Sequence, residues 1–286
     1  MPELPEVETV RRGLAHALNG RQIQGADVLL ARSVAYPESP TDFVTALRGT
    51  TLVDWQRRGK YLLGQLAREQ VAAGWLGIHL RMTGSLWFKP EGPPSIHTRI
   101  RLFLDGGDEL RFSDTRTFGR MWAVPPDCPP EKVITGLQKL GPEPFSEAFS
   151  SDYLYTALHR RQRPLKSALL DQELVAGVGN IYADEALFTA GLSPTLPGSQ
   201  ITPEQAARLQ KAVRSVLQAG INSGGSSFSN FQNVQGVLGN YLDGAQVFRR
   251  TGAPCPTCGT PVARIKLAGR STHFCPTCQA PAGTKR

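Results

Sequence analysis

Apolar positions along the chain fall into two regimes. In the first, Val7, Val10, Leu14 and Leu18 recur at helical spacing, and the pattern predicts a helix from Pro5 to about Asn19. Pro5 suits the first helical position, and Gly20 terminates the run. Glu6 and Glu8 lie in the first turns and Arg11 and Arg12 lie later, in the sense the helix macrodipole favours. From Ile23 to about Val124 the period shortens to that of strands. Trp75–Leu80 and Ser85–Phe88 are short apolar runs. Ile100, Leu102 and Leu104 alternate with polar residues, Asp105-Gly106-Gly107-Asp108 turns, and Leu110 and Phe112 alternate again, which is a hairpin signal. These elements predict a β-sandwich led by one helix, over residues 1–130.

The second regime follows a proline-rich break at Pro125-Pro126-Asp127-Cys128-Pro129-Pro130, extended by Gly141-Pro142-Glu143-Pro144. Residues 131–149 therefore read as a linker. From 150 to 244 the pattern is helical. Helices are expected over Leu165–Leu174, over Ile181–Ala190 with Asn180 as N-cap and Gly191 as terminator, and after the capping box Thr202-Pro203-Glu204-Gln205. Leu209, Val213, Val216 and Leu217 would line the buried face of the last helix, and Gly220 would close it. Ser223–Asn230 is low in complexity and reads as a loop. Residues 245–281 form a separate small module, with a tail at 282–286. The fold class is thus α+β and multidomain.

Charge narrows the possible partners. The chain of 286 residues carries a formal net charge of +8, which suits an anionic partner, either nucleic acid or a membrane surface. No apolar run is long enough to span a bilayer, and no signal or transit segment is recognisable. A cytoplasmic, nucleoid-associated monomer with no membrane partner is the expectation.

Four of the five cysteines carry the strongest single motif. Cys255-x2-Cys258 is followed after sixteen residues by Cys275-x2-Cys278, the spacing of a four-thiolate zinc site on two knuckles. Four protein ligands leave no open position, so one structural Zn2+ is expected and no organic cofactor. No acidic residue follows Asp243, whereas Arg249, Arg250, Arg264, Lys266 and Arg270 do. A ribbon with basic residues and no acids suits phosphate contact. The turn Ala268–Thr272 would project Arg270 outward. Gly177-Val178-Gly179-Asn180 joins two helices by a glycine turn, which offers backbone N–H groups to an anion.

The N-terminus carries the second candidate chemistry. Were Met1 removed, Pro2 would present a secondary amine, with Glu3 beside it and a helix start behind it. Such an amine attacks a sugar carbon to form an iminium, a cation that needs no proton. It must be neutral to attack, so a depressed pKa is expected, driven by the helix N-terminus and by Lys60. No leader could then precede it.

Together, Pro2-Glu3-Leu4-Pro5-Glu6-Val7-Glu8, Arg58-Gly59-Lys60-Tyr61, His79-Leu80-Arg81-Met82-Thr83-Gly84, Gly179-Asn180-Ile181-Tyr182 and the terminal ribbon with Gly269-Arg270-Ser271-Thr272 resemble the formamidopyrimidine-DNA glycosylase family. The resemblance implies a β-sandwich with a leading helix, a helix-two-turn-helix domain and a zinc finger, with duplex DNA containing oxidised purines held between the halves. It implies base excision followed by β,δ-elimination at the abasic site. Pro2 would be the nucleophile and Glu3 the acid for the sugar ring oxygen. Lys60 would serve β-elimination and Arg270 δ-elimination. His97, Arg161, Lys166 and Asn180 would hold phosphates. Met82, Arg116 and Phe118 would fill the gap left by the everted nucleotide, and Glu6 would lie near the lesion pocket. His79 reads as a structural histidine.

Two stretches depart from the family pattern. Ser226–Phe231 replaces a Thr-Leu-Arg-Asp-type stretch in the loop that covers the base, which points toward ring-opened formamidopyrimidines rather than 8-oxoguanine. Thr115-Arg116-Thr117-Phe118-Gly119 replaces Pro-Arg-Arg-Phe-Gly, and one flanking positive charge is lost. The competing readings are the sister activity on oxidised pyrimidines and a non-catalytic zinc-ribbon DNA-binding protein.

Overall fold

The computed structural model describes residues 1–226 and 239–280. The chain divides into two compact units, one of Met1–Lys139 with Ser223–Asn240, the other of Leu140–Asn222 with Tyr241–Arg286. This differs from the expected division in three ways. The zinc ribbon belongs to the helical unit rather than standing alone. The segment that starts at Ser223 groups with the N-terminal unit. Residues 131–139, expected as linker, belong to the N-terminal unit, where Ile134 is buried.

The N-terminal unit opens with α1 (Leu4–Leu18), whose four apolar positions at Val7, Val10, Leu14 and Leu18 are all buried. Glu3 is its N-cap and forms a capping box with Glu6, so the helix starts one residue earlier than expected. The strands and helices that follow are β1 (Ile23–Val28), β2 (Val34–Tyr36), α2 (Pro40–Leu47), β3 (Thr51–Arg58), β4 (Tyr61–Arg68), β5 (Val71–His79), β6 (Gly84–Phe88), β7 (Thr98–Leu104), β8 (Glu109–Asp114), β9 (Arg120–Val124) and α3 (Pro130–Val133). They build a five-stranded sheet of order β2-β9-β5-β4-β3 and a four-stranded sheet of order β1-β7-β8-β6. Strand β7 alternates strictly between buried and half-buried positions, as a strand with one face on a core must. One apolar cluster joins the α1 stripe, Trp55, Leu62, Leu76 and Ile78 of the larger sheet, and Ile100, Leu102, Leu110 and Phe112 of the smaller. The expected sandwich with its leading helix is what forms.

The second unit contains α4 (Ser151–His159), α5 (Leu165–Leu169), α6 (Asn180–Ala190), α7 (Pro203–Asn222) and the hairpin β10 (Ala263–Leu267) with β11 (Arg270–Phe274). Three expected boundaries move. Helix α5 stops at Leu169, because Gln172 turns its groups to Gly141 N–H (2.8 Å, main chain) and Gly177 N–H (2.9 Å, side chain). The N-cap of α6 is Gly179, extended at φ −133°, and Asn180 is the first helical residue. Gly220 does not close α7. It lies inside the helix, where a Cβ would come within 2.5 Å of the Tyr182 hydroxyl, so glycine there lets α7 approach α6. The capping box at Thr202 forms, with Thr202 N–H on Gln205 Oε1 at 2.9 Å and Gln205 N–H on Thr202 Oγ1 at 3.3 Å. Helix α6 is apolar around most of its circumference and buried from Ile181 to Leu187, which makes it the centre of this unit. Among the described residues no helix is long and apolar enough to cross a membrane.

Candidate nucleic-acid interface and lesion pocket

The capping box that starts α1 also builds the first site. Glu6 Oε2 accepts from Glu3 N–H at 2.8 Å, which turns the chain so that Met1 and Pro2 precede the helix axis. Its other oxygen, Oε1, accepts from Ser226 N–H at 2.6 Å and Ser226 Oγ at 2.9 Å. Glu3 and Glu6 are almost wholly buried, as is Lys60, which rides the turn between β3 and β4. The terminal amine on Met1 feels all of them. Burial holds its pKa below the ordinary value, Glu3 and Glu6 work against the shift, and Lys60 and Arg116 add to it. Thus Glu3, Glu6, Lys60 and Arg116 converge electrostatically on the chain start. Burial is the main cause of this depression of the Met1 amine; the expected depression concerns the Pro2 amine that removal of Met1 would expose. Pro2 and Glu6 line a cavity of about 430 Å³ together with Met82, His97, Arg116 and Ser226.

Exposed apolar side chains stand on two neighbouring turns, and the Met82 turn lines that cavity. Met82 is 39% and Phe118 47% exposed, and the Arg116 guanidinium stacks 4.8 Å from the centre of the Phe118 ring. Both side chains stand on turns anchored by one buried carboxylate. Asp114 accepts from the Thr83 hydroxyl, from Arg116 N–H at 3.2 Å and from Gly119 N–H at 2.7 Å. This ties the Met82 turn to the Arg116–Phe118 turn. Gly119 is required there, since a Cβ would meet the Phe112 ring at 2.4 Å. Arg116 does not pair with Asp114 through its side chain; only its N–H does. Thr117, where a positive charge was expected to be missing, takes a hydrogen bond on its hydroxyl from Arg32, so a guanidinium reaches this turn from the 3-10 turn Ala31–Ser33.

His79 is structural, as expected. Its Nδ1 accepts from Arg81 N–H at 3.0 Å and its ring meets Tyr61 edge-on at 4.4 Å. Burial, with Arg81 and Lys60 nearby, pushes its pKa down to about 3. His97 is exposed on the cavity wall with Nδ1 3.4 Å from Arg99 Nη2. Of the departing stretch 226–231 only Ser226 lies within the described residues.

In the second unit the expected phosphate contacts separate. Asn180 opens α6, half-buried, and its Oδ1 has no hydrogen-bond partner among the described residues. Arg270 is exposed at the start of β11, beyond a two-residue turn in which Ala268 and Gly269 both have positive φ. Exposed Arg270 suits a phosphate, and at Asn180 the groups that suit one are the main-chain N–H donors at the start of α6 rather than the Oδ1 acceptor. Lys166 does not suit one. It is fully buried, and its Nζ lies 2.7 Å from Ser271 O, 2.9 Å from Thr272 Oγ1 and 2.7 Å from Asp184 Oδ1. The expectation of a surface basic residue is corrected by these three contacts, because an ammonium desolvated and paired in the interior cannot meet a solvated phosphate. Arg161 is ion-paired with Asp171 at 2.8 Å, and Arg163 binds the same carboxylate oxygen. Burial pushes the Asp171 pKa up, but Arg163, the Glu173 N–H and Arg161 outweigh it and hold the carboxyl below its ordinary value. Arg161 therefore has an internal partner that the sequence did not show.

The four cysteines converge as expected. Their sulfurs lie within 4.8 Å of one another, with Cys255–Cys278 at 3.9 Å and Cys258–Cys275 at 3.5 Å. A tetrahedron of thiolates around Zn2+ at ~2.3 Å has edges of about 3.8 Å, so the set fits zinc. The thiols also need a cation. The Thr260 hydroxyl pulls the Cys258 pKa down to about 6, while burial, then the neighbouring cysteines, push Cys278 up. Four thiolates cannot coexist at this separation without a positive centre.

Asp114, Asp184 and Glu185, the last of which accepts from the N–H groups of Gln246, Val247 and Phe248, were not singled out beforehand. Asp184-Glu185 in an otherwise apolar helix was the available signal, since buried acids are retained only with partners.

A helix-led sandwich, a helical unit and a basic four-cysteine ribbon define the class as a multidomain α+β protein with a metal-binding ribbon suited to an anionic partner. Family models match the chain in three places: the formamidopyrimidine-DNA glycosylase N-terminal domain at residues 1–121, the H2TH domain of the same family at 140–232, and the zinc finger found in FPG and IleRS at 252–281. The formamidopyrimidine-DNA glycosylase of Rippkaea orientalis is 56% identical over 282 residues, covering 98% of this chain and all of the relative. The crystal structure of the MutM (Fpg) protein of Thermus thermophilus superposes with a TM-score of 0.86 at 42% identity, over 98% of this chain and all of that one. That of wild-type Lactococcus lactis Fpg with N7-benzyl-Fapy-dG containing DNA gives 0.88 at 34%, with the same coverage. The chain belongs to the formamidopyrimidine-DNA glycosylase family.

Proposed function

We propose that the protein is a DNA-repair glycosylase that excises oxidised purines, formamidopyrimidines and 8-oxoguanine, from duplex DNA through a Schiff base on Pro2, then cleaves the abasic site. The observation that carries this reading is the cavity lined by Pro2, Glu6, Met82 and Arg116 at the chain start, with the buried Glu3 and Lys60 charges acting on the same terminus, where burial lowers the pKa of the Met1 amine.

After removal of Met1, the Pro2 nitrogen lone pair bonds to the sugar C1′ of an extruded nucleotide. The C1′–base bond breaks, and the base departs with its electrons and takes the proton that the Pro2 nitrogen gives up. Glu3, buried beside the amine, protonates the ring oxygen, and the ring opens to an iminium. The iminium acidifies C2′. Loss of that proton to a basic group, the role suggested for Lys60, expels the 3′ phosphate. Loss of the C4′ proton then expels the 5′ phosphate, and Arg270 stabilises its departing charge. Extrusion costs roughly a few kcal/mol of stacking, which the Met82 and Phe118 wedges and Arg116 offset. Asn180, Arg270 and His97 are the phosphate contacts this reading retains. Cys255, Cys258, Cys275 and Cys278 would hold a structural zinc that fixes the ribbon.

Borohydride trapping on an oxidised-purine duplex tests the reading. The protein with its Pro2 amine exposed should give a covalent adduct, and a version extended at the N-terminus should give none. An adduct undiminished by the extension would overturn the Pro2 assignment.

A further inference from the structure

The contacts that remove Lys166 from the DNA surface give it another task. Three consecutive residues of β11 are held from below by two helices. Lys166 on α5 binds Ser271 O and Thr272 Oγ1. Asp184 on α6 pairs with Lys166 through Oδ1, and its Oδ2 accepts from His273 N–H at 3.0 Å and lies 3.1 Å from His273 Nδ1. Thr272 Oγ1 continues the chain outward, 3.4 Å from the Arg270 carbonyl oxygen. Lys166 and Asp184 have fully buried side chains. A charge pair so deeply desolvated is a poor source of stability compared with apolar packing, and its geometry is strongly constrained. Beyond this lock the hairpin tip has little support: Arg270, Ala268 and Gly269 are exposed, and nothing lies within 4 Å of a Cβ built on Gly269. Asn180 lies on α6 one turn before Asp184, so one helix carries both a candidate phosphate contact and the anchor of the other.

We propose that Lys166 and Asp184 are positioning residues for Arg270: their buried pair, relayed through Thr272, fixes the register and aim of the hairpin tip so that the Arg270 guanidinium reaches the departing 5′ phosphate. This deepens the proposed function and rests on the Arg270 role given there. Lys166 touches no reacting atom in this account; it acts through the backbone of residues 270–272. The chemical consequence is selective. Schiff-base formation and loss of the 3′ phosphate depend on groups of the N-terminal unit, whereas loss of the 5′ phosphate depends on the hairpin tip. Loosening the tip should therefore separate δ- from β-elimination.

Two readouts on the zinc-loaded full chain test this, with Lys166→Met, the milder Thr272→Val and Arg270→Ala compared with the parent. Thr272→Val keeps the ion pair and side-chain volume, so it remains informative if Lys166→Met fails to fold. The first readout is amide hydrogen exchange over residues 266–272, which needs no DNA. Lys166→Met or Thr272→Val should exchange at least tenfold faster there, with Arg270→Ala near the parent. The second is the ratio of δ- to β-elimination product on an abasic duplex in single turnover. Lys166→Met should lower it at least tenfold, approaching Arg270→Ala, and Thr272→Val severalfold. Faster exchange with an unchanged product ratio, while Arg270→Ala lowers that ratio, overturns the inference. Unaltered exchange in both loosening variants overturns it as well. A parallel fall of both products likewise refutes it, because a merely structural role would predict that. If the tip loosens but Arg270→Ala itself leaves the ratio unmoved, the Arg270 role in the proposed function fails and this inference falls with it, while the lock itself stands.

Discussion

Acid should weaken the N-terminal unit through one imidazole. His79 is 7% exposed, accepts from Arg81 N–H and faces the positive charges of Arg81 and Lys60. Its pKa is about 3 when folded, against 6.5 for an ordinary imidazole. Between these values the unfolded chain binds a proton that the folded chain refuses, so stability rises with pH across the window. The contribution is complete above pH 6.5 and is lost as pH falls toward 3. At 1.36 kcal/mol per pH unit, moving from pH 7 to pH 5 should cost about 2 kcal/mol, and reaching pH 4 about 3 kcal/mol. The assay is urea unfolding followed by tryptophan fluorescence. All four tryptophans, Trp55, Trp75, Trp87 and Trp122, lie in the N-terminal unit, so the signal reports that unit alone. His79→Asn keeps an acceptor for Arg81 N–H but cannot be protonated. Carboxylates titrate in both proteins and cancel in the difference. The gap in unfolding free energy between the two proteins should therefore narrow by about 2 kcal/mol in favour of the variant from pH 7 to pH 5. A gap constant with pH would refute the neutral, buried assignment of His79.

Two further outcomes follow from packing and ligation. Stripping zinc with a strong chelator should release one metal per chain and abolish exchange protection in β10 and β11 while leaving tryptophan unfolding of the other unit unchanged, since zinc ligation contributes roughly 10 kcal/mol or more to such modules; retained hairpin protection would refute metal dependence. Gly220→Ala should lower the melting temperature of the helical unit, by a destabilisation of about 1–3 kcal/mol, because its Cβ would press the fully buried Tyr182 hydroxyl at 2.5 Å; a gain in stability, as helix propensity alone predicts, would refute the close-contact account.

The elements legible in the sequence were those set by local periodicity. The α1 stripe, the β7–β8 hairpin and the capping box at Thr202 all form, since each depends on residues within a few positions of one another. The cysteine spacing is equally local at each knuckle. What the sequence hid was the partner of each charge. Lys166 and Arg161 sit near one another in a run with several basic residues, which looks like a surface face; only the fold brings Asp184 and Asp171 against them. Gly220 misled for the same reason. A glycine near the end of an amphipathic run resembles a terminator, and nothing local reveals the Tyr182 hydroxyl that demands its missing side chain.

The same distinction explains how the candidate residues of each unit are held. Candidate functional side chains are delivered by short, local devices within each unit: in the first a capping box turns the chain start and a tight β3–β4 turn offers Lys60, and in the second a positive-φ turn offers Arg270. Each device alone would leave its side chain loosely aimed. The aim comes from buried carboxylates distant in sequence. Glu6 ties α1 to Ser226, Asp114 ties the Met82 turn to the Phe118 turn, and Asp184 ties α6 to β11. A carboxylate suits this role because it accepts several hydrogen bonds at once, and leaving any of them unmade in the interior costs about 1–3 kcal/mol. The buried acids of this chain are thus as informative about function as its exposed bases. Replacing one should misplace a reactive group by a small distance and reduce activity well before it unfolds the protein.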